Sequence, residues 1–330
     1  MYLPRAGKAN AESAPRGAAH RLWHLNPVVR MLLYNLMTAF PLLRTTFVGL
    51  FLLLASLSPR YAWSQTLRVQ GTQIEVDLYG NIYLLDSDRN TLRLFDKAGV
   101  VNREVGGPGW LDGQFDRPSA VWARNGIDVF VADYGNHRIE RFDRSLNFVS
   151  SFSTREANNP EERFGYPSGV ALSRLGELFI CDTENGRIVK VDRFSTVERT
   201  FGGFGGGKGR LAAPRSLELG PKDAIYVLDA ERIAVFDAFG NYLRDLVPGL
   251  FTHPTGLFAQ DDVIVVLDAG TLFFFDANER PEGTFALQSI LPTGTDCRSF
   301  ALSGDTLYCL TSGGIFTVAD PRPKRGGDNR

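Results

Sequence analysis

The chain repeats one short phrase every forty to fifty residues, and this repeat restricts its fold more than any other feature. In each copy a run of apolar residues is followed by Asp, and successive copies end 47, 49, 47, 39 and 43 residues apart. The sixth copy has Thr in place of Asp. The final residues of the copies are Asp86, Asp133, Asp182, Asp229, Asp268 and Thr311. A period of this length is typical of a β-propeller blade of four short strands, so the repeat predicts six blades.

Each unit shows the same order of strands. Most units open with a proline that leads into an apolar strand, namely Pro118, Pro167, Pro214 and Pro254. A polar loop after the phrase leads into a third strand that ends in Asp96, Asp143, Asp192, Asp237 or Asp276. Alternation of apolar and polar residues with β-branched and aromatic enrichment indicates strands. After residue 64 no segment keeps an apolar period of 3.6 residues, so the sequence predicts an all-β fold almost without helix.

The ends of the repeat array predict how the ring of blades closes. The last unit supplies only three strands and is followed by residues 320–327, a stretch rich in Pro, Gly and charge that does not suit a strand. Residues 66–70 precede the first inner strand, which we expect at residues 73–78. We predict that this N-terminal strand pairs with the last blade and removes its open edge. The propeller domain is therefore predicted to span residues 65–319, and residues 320–330 to form a disordered tail.

The first 64 residues resemble an export leader rather than part of the fold. Residues 47–57 are an apolar run of eleven preceded by Arg44, which is the length of a signal-peptide core and shorter than a membrane span. Small residues at Ala62 and Ser64 suit cleavage after Ser64. The leader has ordinary length if translation starts at Met31 or Met37, so residues 1–30 read as a mis-assigned start. An uncleaved membrane anchor is the rival interpretation. We expect a bacterial periplasmic or secreted protein without a stable membrane span after cleavage.

The charge of the predicted mature domain argues against nucleic acid as a partner. Seven of the 36 basic residues but only one of the 37 acidic residues precede residue 65. The remainder carries 29 basic and 36 acidic side chains, a net charge near −7. Because binding to phosphates requires a basic surface, the sequence predicts a partner other than nucleic acid.

Two of the units are similar to NHL repeats. Residues 106–118, the following strand that ends in Asp133 and the run Asn136–Ile139 resemble that repeat almost position for position, and residues 164–188 are nearly as close. The resemblance covers residues 65–319 and implies a six-bladed propeller. It does not imply one activity.

Two motifs have structural interpretations that we favour over chemical ones. Residues 202–209 nearly match a phosphate-binding loop, but Gly209 stands where a hydroxyl would hold magnesium, so we predict a loop between blades. The repeated aspartates are expected to accept backbone N–H groups of the loops that follow them, as in an Asx turn. Repetition in every blade fits this role better than a cation site.

The odd number of cysteines leaves disulfide formation open. Cys297 and Cys309 lie in neighbouring predicted strands, but a turn at residues 304–305 would place Cys309 opposite Phe300. We favour three small buried side chains, a group that includes Cys181.

Metal-dependent enzymes occur among six-bladed propellers and form the alternative functional class. The mature chain has only His137 and His253, which are too few for a His-rich zinc site. Glu75 lies where a carboxylate ligand could be sought in the first inner strand, but no Asn partners accompany it. A Ser-His-Asp arrangement is not built convincingly from two such histidines. The sequence predicts no metal site, no cofactor and no catalytic residue.

One positive feature concerns the residues next to the blade openings. Four of them are basic or can become so: Arg117, Arg215, His253 and Arg298. We expect them to surround one mouth of the central channel and to receive an anionic group, although ordinary salt bridges with Asp116 and Asp296 are the alternative. The sequence thus favours an exported, non-catalytic binding or scaffold propeller that recognises a protein or glycan through one face. The alternative is a divalent-metal-dependent hydrolase or lyase with its site in the channel.

Overall fold

The computed structural model describes residues 64–322 except residues 194, 206 and 261. These residues belong to the compact unit Tyr61–Arg330, and the other unit, Met1–Arg60, contains none of them. The predicted signal peptide, its cleavage site before residue 65, the alternative start sites and residues 323–330 of the predicted tail lie wholly or largely outside the described residues and stay predictions.

The described residues form six four-stranded antiparallel sheets, which confirms the predicted six-bladed β-propeller. Blade 1 contains β2 (Gln73–Val76), β3 (Ile82–Asp86), β4 (Thr91–Phe95) and β5 (Val101–Gly106). Blade 2 contains β6 (Pro118–Trp122), β7 (Asp128–Asp133), β8 (Arg138–Asp143) and β9 (Phe148–Phe152). Blade 3 contains β10 (Pro167–Leu172), β11 (Leu178–Asp182), β12 (Arg187–Val191) and β13 (Val197–Phe201).

The remaining blades follow the same order. Blade 4 contains β14 (Pro214–Leu219), β15 (Ile225–Asp229), β16 (Arg232–Phe236) and β17 (Tyr242–Asp245). Blade 5 contains β18 (Pro254–Gln260), β19 (Val263–Asp268), β20 (Thr271–Asp276) and β21 (Pro281–Ala286). Blade 6 contains β22 (Cys297–Ser303), β23 (Thr306–Thr311), β24 (Gly314–Ala319) and β1 (Ser64–Leu67). Helical structure in the described residues is restricted to short 3₁₀ turns at Pro160–Glu162, Gly207–Gly209, Pro221–Asp223 and Leu287–Ser289. No helix found there is long and apolar enough to cross a bilayer.

Blade 6 is closed by the N-terminal strand, as predicted. β1 pairs antiparallel with β24 through Ser64 opposite Thr317 and Leu67 opposite Ile315. The predicted strand bounds, residues 66–70, are wrong by about two residues because the chain leaves the blade edge after Leu67, where a bulge in the pairing has already shifted the register. Leu67 and Val69 nevertheless both pack against the apolar cluster of blades 1 and 6.

The repeated prolines and aspartates are opposite each other in the sheets. Pro118 faces Asp133, and the same pairing recurs as Pro167–Asp182, Pro214–Asp229 and Pro254–Asp268. The register shifts immediately after each of these prolines, where a residue without an N–H group is tolerated. The two sequence signals thus mark one structural position, the place at which each inner strand enters its blade.

The repeated aspartates accept backbone N–H groups, as predicted, but most of these groups belong to the loop before the blade and not to the loop that follows the aspartate. Asp86 accepts a hydrogen bond from the backbone of Arg89 in the loop that follows it. The others accept from the loop that precedes their own blade, with donors Asp116, Gly165, Ala212 and Ala213, and Thr252 and His253. Because each of these carboxylates lies opposite the opening proline, it lies beneath the chain that enters the inner strand.

The cysteine register is confirmed and the thiols are free. Cys309 pairs with Phe300 across β22 and β23, and Cys181, Cys297 and Cys309 form no disulfide. A hydrogen bond with the Cys297 thiol, together with burial, raises the pKa of Cys309 well above its usual value. Cys181 and Cys309 are buried as predicted, whereas Cys297 is only half-buried.

Candidate functional site: the proline face and the central channel

The inner strands of blades 2 to 5 begin at one face of the propeller. We call it the proline face and define it by Pro118, Pro167, Pro214 and Pro254. Each of these prolines pairs with one of the repeated aspartates. The loops between blades and the loops that follow the aspartates therefore also lie on this face. Turns such as residues 123–127 and 173–177 lie on the opposite face. Loops held by a rigid scaffold are suited to recognition.

A belt of hydrogen bonds ties the blades together at the proline face. Ser87 and Ser119 donate to the carbonyl oxygens of Pro118 and Pro167, the latter over 2.6 Å. Ser168 donates to the oxygen of Pro214 over 3.0 Å. In blade 4 the donor is Arg215, whose Nη2 lies 2.9 Å from the oxygen of Pro254. Each bond links one blade to the carbonyl of the next, so these side chains fix the entrance of the channel.

The four predicted site residues separate into two pairs. Arg215 and Arg298 line a cavity of about 180 Å³ in the channel, together with residues from all six inner strands. Arg117 and His253 are exposed outside that lining. The reason is their place in the chain: Arg117 and His253 belong to the loops that precede β6 and β18, whereas Arg215 and Arg298 lie inside the inner strands β14 and β22. Ligand binding by these residues stays a prediction.

The two residues outside the cavity have local partners. Arg117 lies 3.2 Å from the carboxylate of Asp116 and stacks over Tyr134 at 5.7 Å. The backbone N–H of His253 donates to Asp268 over 2.7 Å. Arg117 therefore forms the salt bridge with Asp116 that was the alternative interpretation of this residue.

A buried ion cluster crosses the channel at the far end of the cavity. Nε of Arg124 donates to Glu75 over 2.9 Å, and Nη2 donates to Glu218 over 2.8 Å. Nη1 donates to the carbonyl of Ala259 over 2.8 Å, and the guanidinium lies 4.3 Å from the ring centre of Phe258. Residues of blades 1, 2, 4 and 5 therefore meet at one guanidinium, which forms a floor across the channel.

The cluster contains two carboxylates for one guanidinium. Burial raises the pKa of Glu75 and raises the pKa of Glu218 to about 7, against the opposing effect of Arg124. Arg124 in turn has a raised pKa because Glu218 and Glu75 stabilise its charge. Oε2 of Glu218 lies 2.7 Å from Nη1 but makes no well-aligned hydrogen bond to any described residue. When both carboxyls are ionised, the floor carries one negative charge that the guanidinium does not balance.

Arg124 was not among the site residues predicted from the sequence. The available signal was the pair Glu75 and Glu218, each in an apolar inner strand, because a carboxylate on such a strand requires a partner. Taken alone, Glu75 suggested only a metal ligand. Within the described part of the chain, no three His, Cys, Asp or Glu side chains are grouped so that they could hold a metal ion.

A second feature of the proline face is an exposed tryptophan on a firmly held loop. Trp110, in the loop between β5 and β6, is 76% exposed. The guanidinium of Arg138 holds this loop by donating to the carbonyl oxygens of Trp110, Leu111 and Gln114 over 2.9, 3.0 and 2.7 Å. Two carboxylates, those of Asp133 and Glu140, each lie 2.9 Å from Arg138. The indole is therefore displayed by an ordered backbone.

The glycine-rich segment is a loop between blades, as predicted. Its described residues connect β13 to β14 and include a 3₁₀ turn at Gly207–Gly209. The loop borders a groove of about 490 Å³ between blades 3 and 4 and presents Phe204, which is 87% exposed. A strand rather than a helix follows, so the phosphate-loop interpretation fails on context as well as on sequence.

The stability of the propeller is expected to fall as the pH rises from 5 to 8. Burial raises the pKa of Glu140 from its usual 4.5 to about 7. Between these two pH values the folded protein therefore holds a proton on Glu140 that the unfolded chain has released. This contribution is full below pH 4.5 and is lost as the pH rises through 7, a change of about 3 kcal/mol. Urea unfolding at several pH values measures it. Glu140→Gln should flatten the profile, and an unchanged slope in this variant would contradict the assignment.

Comparison with known proteins identifies the repeat. The NHL repeat family model matches residues 164–191, which run from the opening of blade 3 to the end of β12. Protein brain tumor of Drosophila melanogaster is 29% identical over 149 residues, which are 44% of this chain and 14% of that protein. The B-box type zinc finger protein ncl-1 of Caenorhabditis elegans is 31% identical over 149 residues, 44% of this chain and 17% of that protein. NHL repeat-containing protein 2 of Homo sapiens is 29% identical over 140 residues, 35% of this chain and 19% of that protein. The matched part is less than a fifth of the length of each relative.

Solved structures share the fold at low sequence identity. Streptogramin B lyase has a TM-score of 0.53 at 13% identity over 74% of this chain and 77% of its own. Virginiamycin B lyase from Staphylococcus aureus has a TM-score of 0.53 at 14% identity over 80% of this chain and 90% of its own. At these identities the likeness establishes the propeller fold and no more.

Proposed function

Because the chain is a six-bladed β-propeller with NHL repeats, we propose that it is an exported, non-catalytic binding or scaffold protein that recognises a protein or glycan partner through its proline face. The observation that carries the proposal is Trp110. A large aromatic side chain exposed on an ordered loop lowers the entropic cost of binding, and such residues act as anchors of interfaces.

The charges around the channel support a binding role over a metal-dependent one. Glu75 and Glu218 are both engaged by Arg124 at 2.9 and 2.8 Å, so the guanidinium offsets one of their two charges and weakens their attraction for a divalent cation. The predicted acidic net charge of the mature domain also favours a partner other than nucleic acid. Export to the bacterial periplasm or medium, without a membrane span after cleavage, is part of the proposal.

Surface variants test which face binds. Partner capture from a periplasmic and secreted extract would use the wild-type propeller, a proline-face variant (Trp110→Ser) and an opposite-face variant (Ile127→Ser). Both substituted positions are on the surface, since Trp110 and Ile127 are 76% and 65% exposed. We expect a partner that is retained by wild type and Ile127→Ser and reduced about tenfold or more by Trp110→Ser.

The outcome that contradicts the proposal is equally specific. A partner lost with Ile127→Ser but kept with Trp110→Ser would assign recognition to the opposite face. Equal capture by all three forms would indicate that neither face recognises it. Thermal unfolding of the two variants serves as the folding control.

A hydrolase or lyase with its site in the channel is the second candidate. The observation that favours it is the pKa of Glu218, raised to about 7 by burial, which suits a general acid or base near neutral pH. The propeller fold of streptogramin B lyase points the same way by analogy of fold. Stoichiometric divalent metal in elemental analysis of the purified protein, with turnover of lactones or esters that Glu218→Gln abolishes, would establish this candidate and overturn the non-catalytic one.

A further inference from the structure

The cavity above the Arg124 floor is a blind well of limited size. Its volume is about 180 Å³. It opens at the proline face, where Arg215 and Arg298 lie, and ends at Glu75, Arg124 and Glu218. A well of this size and shape admits one end group of a ligand and excludes the middle of a chain.

The entrance of the well carries two positive charges without a carboxylate partner among the described residues. Nη2 of Arg215 donates to two carbonyl oxygens, those of Ala230 and Pro254, which are neutral acceptors. Arg298 is exposed and makes no hydrogen bond or ion pair to another residue that the structure describes. Thr255 and Ser299 line the same part of the cavity. Guanidinium groups with nearby hydroxyls are suited to a carboxylate.

The floor of the well has the opposite sign. Two carboxylates share one guanidinium, and Asp77 adds a further negative charge that acts on Glu75. Since a buried negative charge requires a counter-charge, the floor must take up a proton or a cation. The raised pKa of Glu218, which burial causes, expresses this requirement.

The spacing of the two charged layers selects the ligand. Arg215 and Glu218 are three residues apart on β14, so their Cα atoms are about 10 Å apart along the strand. A free α-amino acid has its ammonium next to its carboxylate and is too short for this distance. A lysine residue with a free carboxylate separates the two charges by a flexible four-carbon stem that ends in a compact ammonium group.

We propose that the well binds the carboxyl-terminal lysine of a peptide or protein, with the terminal carboxylate at Arg215 and Arg298 and the ammonium group at Glu75 and Glu218. The blind floor explains why the residue is terminal, because the chain can enter and leave only through the proline face. This inference rests on the proposed binding role of that face and specifies the chemistry that its channel recognises.

Calorimetry with the full-length protein tests the proposal through three matched probes. Nα-acetyl-L-lysine carries both charges, Nα-acetyl-L-lysinamide lacks the carboxylate, and Nα-acetyl-L-norleucine lacks the ammonium group. We expect the first probe to bind about tenfold or more tightly than either of the others. Titration at pH 7 in buffers of different ionisation enthalpy should show proton release, because the ligand ammonium replaces the proton held at the floor. Equal binding of the three probes, or no binding of any, would overturn the proposal.

Two variants separate the entrance from the floor. Arg298→Gln should bind Nα-acetyl-L-lysine with a clearly smaller preference over its amide, because the carboxylate has lost one of its two partners. Glu218→Gln should remove proton release and the preference over the norleucine probe. Retention of both preferences in these variants would place the binding site elsewhere.

The source of the lysine is decided by position in the peptide. Gly-Gly-Lys should bind and Lys-Gly-Gly should not. If free lysine binds as tightly as Gly-Gly-Lys, the ligand is a small molecule, and the proposal that the lysine belongs to a peptide or protein is wrong. Failure of all probes while Trp110→Ser still abolishes partner capture would reject the well and leave the proposed function standing. If the probes bind as expected but Trp110→Ser leaves partner capture unchanged, the well is supported and the role of Trp110 is rejected.

Discussion

Replacing Arg124 by alanine is expected to destabilise the propeller by roughly 3–5 kcal/mol near pH 7.5, the cost of breaking a buried ion pair by removing one partner. The side chains of Arg124 and Glu75 are only 15% and 7% exposed. Without the guanidinium, the two carboxylates of the channel floor repel each other where they are largely shielded from bulk water, and the contact with Phe258 is also lost.

The midpoint of urea unfolding measures this effect, and pH provides an internal check. The deficit should shrink at pH 5, because the buried carboxyls already have raised pKa values and take up protons more readily once Arg124 is absent. Arg141→Ala is the matched control: Arg141 is 45% exposed and pairs with Asp128 at 2.7 Å, so its loss should cost less than about 1 kcal/mol. Equal losses in the two variants would show that the cluster does not hold the channel together.

Gly314→Ala is expected to destabilise the closure of blade 6 by about 3–5 kcal/mol. Gly314 has φ +129°, and a Cβ added there would lie 2.1 Å from the carbonyl oxygen of Leu67 in β1. The atom in the way belongs to the backbone of the closing strand, so relief requires β1 to move away from β24. Overpacking of this kind and a disallowed backbone conformation each cost about 1–3 kcal/mol.

Gly304→Ala separates the collision from the backbone cost. Gly304 has φ +55° but nothing within 4 Å of an added Cβ, so only the left-handed conformation is penalised, by about 1–2 kcal/mol. Hydrogen exchange should show faster exchange in β1 and β24 of Gly314→Ala and unchanged exchange there in Gly304→Ala. Similar stability and exchange in the two variants would mean that the N-terminal strand does not close the ring.

The repeated aspartates show how much of a structural role can be predicted from sequence. Asp133 and the prolines of the blade openings recur at fixed positions, so their structural role was predictable. The loop that each aspartate holds was not, because four of the five reach back to the preceding loop through the Pro–Asp register of the sheet. That register is a property of strand pairing, which the spacing of the phrases does not contain.

Sequence alone determined the number of blades, the order of strands and the closure by an N-terminal strand. These properties follow from apolar runs with a period of two and from turn residues, all of which act over a few neighbouring residues. The four basic residues beside the blade openings could also be found from the sequence, because the openings are marked by local patterns. The sequence did not show that they separate into two pairs.

Tertiary structure decided which of these residues share a site. Arg215 and Arg298 line the channel while Arg117 and His253 do not, because the first two lie inside inner strands and the last two lie in the loops that precede such strands. Arg124 lies 49 residues from Glu75 and 94 from Glu218 in sequence, and they meet only because the ring of blades brings blades 1, 2 and 4 around one axis. The chemistry of the channel therefore depends on closure of the ring, which no local pattern specifies.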